Sequence, residues 1–312
     1  MKISFTFEPK PVIQQELQEQ FPNHEFSFEK GVAPDRDTAI WVTYGEDVKE
    51  AAIKSLPELK WVSVASAGVE KMPLNLLHDK EILVTNSRGI HKTPMTESIV
   101  GHILSLYRNL PAIYTLTNEQ KWEKPRGSKE LRGSNALIVG PGAIGEEVGR
   151  VLTALGVEVT GCNRSGEAIE GFASTVSLEQ LDHQLASADI VISLLPSTPE
   201  THHLFTKEQF HKMKDTALFM NFGRGNVVSE QVLVEALKAG EIGGAVLDVF
   251  EVEPLPERSE LWGLPNVVIS PHVSSHSDFY VERAMEIFSR NLSKWEQGDT
   301  DLENQVDLKL GY

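Results

Sequence analysis

The chain has a single cysteine among its 312 residues, Cys162. No intrachain disulfide is possible, and a reducing compartment is the natural expectation. Set in the apolar stretch 157–162, this thiol reads as a small buried hydrophobe rather than a nucleophile. Long apolar runs are missing too. Nothing approaches the ~20 residues that span a bilayer, and no signal-peptide core follows the alternating start, which breaks off at Glu8 and Pro9. A cytoplasmic protein with no membrane partner is therefore expected. Positive charge is scarce: 29 Lys and Arg against 45 Asp and Glu leave a net charge of -16, which argues against a nucleic-acid partner. There is no HExxH pattern and no Cys/His cluster, so no metal is expected. Tandem repeats and low-complexity tracts are absent as well.

What is present is globular: hydrophobic residues make up 40% and charged residues 24%, in a length that suits two domains. β-type runs and amphipathic stretches alternate at residues 3–7, 12–21, 39–42, 48–53, 61–64 and 82–85. A long helical pattern covers residues 94–117, with Ile99, Ile103, Leu104 and Tyr107 on one face. Pro111 should bend or divide it, and the segment reads as the link out of a first domain. A second series then runs through 136–139, 157–162, 190–195, 217–221, 244–247 and 267–270, with helices expected over 143–155 and 230–239. An amphipathic helix over residues 278–297 closes the chain. Strands alternating with helices predict an α/β fold of βαβ units with parallel sheets.

One junction carries specific chemistry. Asn135-Ala136-Leu137-Ile138-Val139 runs into Gly140-Pro141-Gly142-Ala143-Ile144-Gly145, a strand followed by G-x-G-x-x-G and a helical pattern. Gly140 suits a tight turn, Gly142 a close approach of pyrophosphate, and Gly145 close helix–strand packing. The helix start at Ala143 and Ile144 then offers free N–H groups to phosphate. The alternative is a glycine-rich structural turn, which the strand–turn–helix–strand setting disfavours.

The choice of dinucleotide is read at the end of the next strand. An acidic residue there would accept from a ribose 2′-hydroxyl, but the sequence has Asn163-Arg164-Ser165. Arg164 could pair with a 2′-phosphate, and Asn163 and Ser165 could add neutral hydrogen bonds, so NADP is favoured over NAD. Against this, Arg164 could be an ordinary solvated arginine. Glu158 lies in the strand between two valines, too far along to reach the ribose.

Three more strand ends hold polar residues: Asn221-Phe222-Gly223-Arg224-Gly225, then Leu247-Asp248 leading to Glu253-Pro254, then Ser270-Pro271-His272. Open α/β sheets place ligands at such ends. With Leu194-Leu195-Pro196-Ser197-Thr198 and Thr201, Leu261-Trp262, Ala67-Gly68-Val69 and the tail 304–311, they make the chain resemble the D-isomer-specific 2-hydroxyacid dehydrogenases, in particular the NADP-linked glyoxylate/hydroxypyruvate reductases. The resemblance spans essentially the whole chain. It implies two Rossmann-like or flavodoxin-like domains with parallel sheets, the dinucleotide-binding domain (98–273) inserted into a discontinuous substrate-binding domain (1–97 and 274–312). It also implies catalytic roles for Arg224, Glu253 and His272, substrate contacts at Ala67, Gly68 and Arg224, and cofactor contacts at Leu195, Pro196, Thr201, Phe222 and Asp248 beside those already named. A homodimer is implied, for which the 94–117 helix and the Trp122 region could supply the interface.

The chemistry explains the residue types. Arg224 offers a fork of donors to the carboxylate and ketone of a 2-oxo acid. His272 can give a proton to the ketone oxygen as hydride arrives and take it back in oxidation. Glu253, hydrogen-bonded to the other ring nitrogen, would favour the charged imidazole. Asp248 has no evident proton to transfer and is expected to face the nicotinamide. Singly, Arg224 could pair with a surface acid, Glu253 could be a solvated carboxylate, and His272 a turn residue. His202, His203, His211 and His276 receive no role. After His272 the sequence reads Val273-Ser274-Ser275-His276-Ser277, where the family has smaller apolar residues. Two other readings stay open: a dinucleotide-sensing, corepressor-like binding protein, and a formate- or phosphite-type dehydrogenase, both on the same fold.

Overall fold

The computed structural model describes residues 1–69 and 71–309. The family-like tail 304–311 thus runs, at residues 310 and 311, outside the described residues. The chain divides into two compact units, Met1–His91 with Ser277–Tyr312, and Lys92–His276.

The first unit opens with β1 (Lys2–Phe5), α1 (Pro11–Gln20), β2 (Glu25–Phe28) and β3 (Thr38–Thr43). It continues with α2 (Glu50–Ser55), β4 (Trp61–Val64), α3 (Leu74–Asp79) and β5 (Leu83–Asn86). The five strands are parallel in the order β2-β1-β3-β4-β5. Every residue of β3 and β4 is buried, as expected where helices cover both faces of a parallel sheet. Strand β2 and helix α3 lack a signal in the sequence. Glu25 and Ser27 interrupt the apolar run of an edge strand that is nowhere fully buried, and α3 buries only Leu77.

The second unit begins with α4 (Lys92–Tyr107) and α5 (Leu110–Asn118). The single helix expected over 94–117 is divided, but not at Pro111. The break falls at Asn109, whose φ of 53° takes the left-handed conformation, and Pro111 sits in the first turn of α5, where no backbone donor is needed. Then follow β6 (Asn135–Val139), α6 (Ala143–Ala154), β7 (Glu158–Asn163), β8 (Ser174–Ser177), α7 (Leu181–Leu185) and β9 (Ile190–Ser193). The unit ends with α8 (Lys207–Lys212), β10 (Leu218–Asn221), α9 (Glu230–Ala239), β11 (Gly244–Leu247) and β12 (Val267–Ile269). Its seven parallel strands lie in the order β12-β11-β10-β9-β6-β7-β8. The direction of strand addition reverses between β6 and β9, so the carboxyl ends of these two strands flank the crevice where such sheets bind ligands. The edge strand β8, with its run of Ser and Thr, gave no apolar signal, and α7 and α8 are too short for one.

The chain closes the first unit with α10 (Tyr280–Glu296), slightly shorter than the 278–297 expected. Its inner face buries Ala284, Ile287, Phe288 and Leu292. Phe288 and Trp295 stack on Trp61 with ring centroids 5.4 and 5.6 Å away, which ties the C-terminal helix to the core under β4. No helix among the described residues is long and apolar enough to cross a membrane.

Candidate active site

The turn after β6 has the form its glycines predict. Gly140 takes a φ of 80°, and a Cβ there would meet the Leu194 backbone and Leu195 side chain at 3.0 to 3.2 Å. Its N–H donates to the Cys162 carbonyl at 2.9 Å, which joins the turn to the end of β7. Gly142 is the residue before α6, and a Cβ there would meet nothing within 4 Å. That open space faces the first turn of α6, where the N–H groups of Ala143, Ile144 and Gly145 lie beyond the reach of intrahelical bonding. A Cβ on Gly145 would sit 3.1 Å from Ile138 and 3.2 Å from Leu194 and Pro141, so the third glycine does let helix and strand pack closely. A cradle that a side chain at Gly142 would fill, backed by unpaired donors, fits a dinucleotide pyrophosphate.

At the end of β7 the three residues expected to meet the ribose form a closed turn. The Asn163 side-chain oxygen accepts from the Gly166 N–H at 2.5 Å and from the Ser165 hydroxyl at 3.4 Å, while its Nδ2 donates to the Glu167 carbonyl. Asn163 therefore shapes the turn, and Arg164 and Ser165 are exposed on it. Arg164 makes no salt bridge among the described residues. Glu158 is the first residue of β7, paired in register with Asn135 at the opposite end of the strand from this turn.

The loop after β9 is braced internally. The Thr201 hydroxyl donates to the Pro196 carbonyl at 2.6 Å and accepts from the Thr198 N–H at 2.9 Å. Leu195 and Phe222 are buried while Pro196 is exposed. His102, on α4, lies with its ring 6.2 Å from that of Phe222. Burial holds the His102 imidazole below its ordinary value, and the charge of Asp248 opposes that shift.

The other strand ends converge. Asn221 closes β10 and is wholly buried; its side chain accepts from the Gly223 N–H at 3.2 Å and donates to the Arg224 carbonyl at 3.0 Å. This loop lies against the backbone after β11: a Cβ on Gly225 would fall 1.9 Å from the Phe250 carbonyl carbon, so no other residue fits there without moving the chain. The N–H of that same Phe250 donates to Glu253 Oε1 at 3.0 Å, and Glu253 Oε2 lies 2.7 Å from His272 Nδ1. Three segments far apart in sequence thus form one continuous arrangement. Arg224 stands on its rim, exposed, with Nη1 donating to the Gly223 carbonyl. A carboxylate can only accept, so the bond to Glu253 places the proton of the ring on Nδ1 and leaves Nε2 directed elsewhere.

A sequence profile for the NAD binding domain of the D-isomer specific 2-hydroxyacid dehydrogenases matches residues 100–274. Glyoxylate/hydroxypyruvate reductase B of Klebsiella pneumoniae is 35% identical over 237 residues, 74% of this chain and 73% of that one. The crystal structure of a D-isomer specific 2-hydroxyacid dehydrogenase family protein from Aeromonas salmonicida superposes with a TM-score of 0.82 at 31% identity, covering 98% of this chain and 99% of the other. A family protein from Xanthobacter autotrophicus, solved in complex with NADPH and MES, gives 0.79 at 28% identity over 100% and 99%. This chain belongs to the D-isomer specific 2-hydroxyacid dehydrogenase family.

As a 2-hydroxyacid dehydrogenase it has an NAD binding domain, and its activity is the NAD(P)-linked interconversion of a 2-hydroxy acid and its 2-oxo acid. Within the first unit, the residues expected to touch substrate border a pocket of about 150 Å³ lined by Tyr44, Gly45, Glu46, Ser66, Gly68, Val69, Lys71 and Met72. Asn86 Nδ2 donates to the Ala67 carbonyl at 2.7 Å and the Ser66 hydroxyl to the Gly68 carbonyl at 3.2 Å, so the two N–H-bearing residues are held by their carbonyls. Lys71, 2.9 Å from Glu46, gave no signal in the sequence, because a lone Lys and Glu 25 positions apart have no spacing to read.

Asp248 departs from expectation in its surroundings. It is 1% exposed, and both of its oxygens accept from the turn that follows β12: from the Ser270 hydroxyl, the Val273 and Ser274 N–H groups and the Ser274 hydroxyl. Those donors lie 22 to 26 residues away from it, a separation at which residue type alone offers no pairing rule. His203, given no role above, pairs with Glu251 at 2.9 Å, and Glu251 in turn accepts from the Glu230 N–H at the start of α9. That histidine serves a helix terminus.

Proposed function

We propose that this dehydrogenase uses NADPH to reduce a short 2-oxo acid, glyoxylate or hydroxypyruvate, to the D-2-hydroxy acid, and runs the reverse oxidation with NADP. The observation that carries the reading is the 2.7 Å contact of His272 Nδ1 with Glu253, beside the loop that bears Arg224. With Nδ1 held, His272 Nε2 gives its proton to the ketone oxygen in reduction and accepts it back in oxidation. Glu253, ionised, stabilises the imidazolium that must form in the oxidative direction. Arg224 holds the substrate carboxylate and draws charge from the ketone with its fork of donors. Ala67 and Gly68 contribute backbone N–H groups to the same carboxylate. The bound dinucleotide supplies or takes the hydride.

For the cofactor, the N–H groups of Ala143, Ile144 and Gly145 hold the pyrophosphate next to Gly140 and Gly142. Asn163 sets the turn on which Arg164 and Ser165 meet the 2′-phosphate, and Leu195, Pro196, Thr201, Phe222 and Asp248 line the remainder of the site. NADP is favoured because the turn presents a guanidinium and no carboxylate of its own, and because the Xanthobacter relative was solved with NADPH. The substrate assignment draws on the name of the Klebsiella relative and on the small pocket beside Gly68.

We also propose that two copies associate. Helix α5 buries none of its residues, and Ile113, Tyr114 and Trp122 expose a run of apolar surface that a second copy would cover. The single buried cysteine and the absence of a disulfide suit a reducing, cytoplasmic setting.

The test is a panel of short 2-oxo acids assayed by absorbance with NADPH and with NADH. Turnover of glyoxylate or hydroxypyruvate with a preference for NADPH is expected. Tight dinucleotide binding with negligible turnover of every acid would move the protein to the sensing class. Light scattering of the eluted protein reports the dimer.

A further inference from the structure

We propose that Ser274, acting with Asp248, is a positioning residue that fixes the backbone of His272. The inference rests on the reading of His272 as the proton-transfer residue and assigns the part of the machinery that reading leaves out: what holds the histidine's main chain.

His272 has a φ of 53°. A side-chain-bearing residue takes this left-handed conformation only where its surroundings impose it. The local turn contributes one bond, from the His272 N–H to the Ser270 carbonyl at 2.9 Å. The rest comes from Asp248, at the carboxyl end of the buried strand β11. Its Oδ1 accepts from the Ser270 hydroxyl at 2.5 Å, the Val273 N–H at 3.1 Å and the Ser274 N–H at 3.3 Å. Its Oδ2 accepts from the Ser274 hydroxyl and from the Ser274 N–H at 3.4 Å. One buried carboxylate therefore grips the chain on both sides of His272. Ser274 is gripped from a second direction too, since its carbonyl accepts from the Ser98 hydroxyl of α4 at 3.3 Å.

The two carboxylates divide the work. Glu253 holds the imidazole by its Nδ1, which restrains rotation of the ring. Asp248 restrains where the Cα is and which way the Cα–Cβ bond points. Neither can substitute for the other, because the side chain of His272 is about half exposed, at 49%, and has little packing to hold it. Ser274 is the one residue that meets Asp248 through both backbone and side chain, and it stands in the stretch where the sequence departs from the smaller apolar residues of the family. A hydroxyl at this position tightens the grip in a way an alanine cannot.

The experiment compares the full-length wild type with Ser274→Ala, Asp248→Asn, His272→Ala and the double variant Ser274→Ala/His272→Ala, using NADPH and glyoxylate as probes. Ser274→Ala is expected to lower kcat about 10-fold, the scale of a sub-ångström misplacement of a reacting group, while KM and the NADPH Kd stay within about 2-fold. Asp248→Asn is expected to lose more. In the His272→Ala background the serine substitution should cost nothing further, because its effect passes through the ring that has been removed. A readout independent of turnover is the His272 ring resonance, identified by its loss in His272→Ala: the hydrogen-bonded Nδ1 proton of the wild type should broaden or shift in Ser274→Ala. An unaltered kcat and resonance, an equal loss of kcat in both backgrounds, or a change confined to KM or Kd would each overturn the proposal. Full activity in His272→Ala would instead remove the underlying reading, and the resonance would still report whether the serine positions the ring.

Discussion

The two units solve one topological problem with different chemistry. Each is a parallel sheet whose strand order reverses beside its first strand, β1 flanked by β2 and β3 in one and β6 flanked by β7 and β9 in the other. At the end of β6 the chain passes through Gly140 and Gly142 into a helix with open donors. At the end of β1 it passes through Thr6 and Phe7 into a proline-led helix. Phe7 is 5% exposed, 4.5 Å from the ring of Tyr44 and 5.6 Å from that of Phe5. Where one unit leaves room for phosphate, the other fills the equivalent place with an aromatic ring. The remaining strand ends differ in the same sense. The first unit ends β3 and β5 in Thr43 and Asn86, whereas the second ends β11 against a buried carboxylate. Equal topology therefore does not confer equal function, which resides in the residues at a few strand ends.

Four measurements break or sharpen this contrast. The largest effect should come from His272→Ala, which we expect to lower kcat by about 10²–10⁴-fold, the usual worth of a positioned acid–base group. Steady-state kinetics decides it, and retention of full kcat would take proton transfer away from this strand end.

A crossed pair of substitutions at the two reversal points comes next. Gly142→Val should weaken NADPH binding about 10-fold or more, the loss of a charge-assisted hydrogen bond, with little change in thermal midpoint, since the added atoms enter open space. Phe7→Ala should do the opposite, lowering stability by about 3–5 kcal/mol through the cavity it leaves, with the NADPH Kd unmoved. Fluorescence titration and thermal melts on both variants test the crossing; if both move the same observable, the contrast fails.

Arg164→Ala should reduce the preference for NADPH over NADH by about 10-fold, because one guanidinium–phosphate contact is removed while the Asn163 turn remains. The ratio of kcat/KM for the two cofactors is the measurement.

The smallest effect concerns the thiol beneath that turn. Burial pushes Cys162 up from its ordinary value of 9.0 to about 11. Since the folded pKa is the higher, its contribution to stability is complete below pH 9 and is lost as the pH rises towards 11, where the unfolded chain ionises first. Urea melts should fall more steeply over that interval for the wild type than for Cys162→Ala.

Much of this was legible in the sequence where chemistry and chain continuity coincide. The strand, glycines and helix of residues 135–154 follow one another without a gap, so period and glycine spacing suffice to predict them. The same holds for β3, β4, β10 and β11, whose apolar runs mark strands covered on both faces. The edge strands β2 and β8 were illegible because their composition is polar, and strand character there comes from pairing with a neighbour. The division of the long helix was legible in kind and misplaced in position. Proline is tolerated in a first turn, so the break moved to Asn109, whose short polar side chain accepts a left-handed backbone.

The sequence by itself determined the fold class, the phosphate cradle and the residue types available for hydride-transfer chemistry, because each of these depends on neighbours along the chain. Tertiary structure alone decided which of those residues meet. The pairing of His272 with Glu253 across 19 residues, and the grip of Asp248 on the turn 22 to 26 residues further on, exist only because β11 and β12 lie side by side. Hydrogen bonds act over about 3 Å, and folding brings these distant residues within that range.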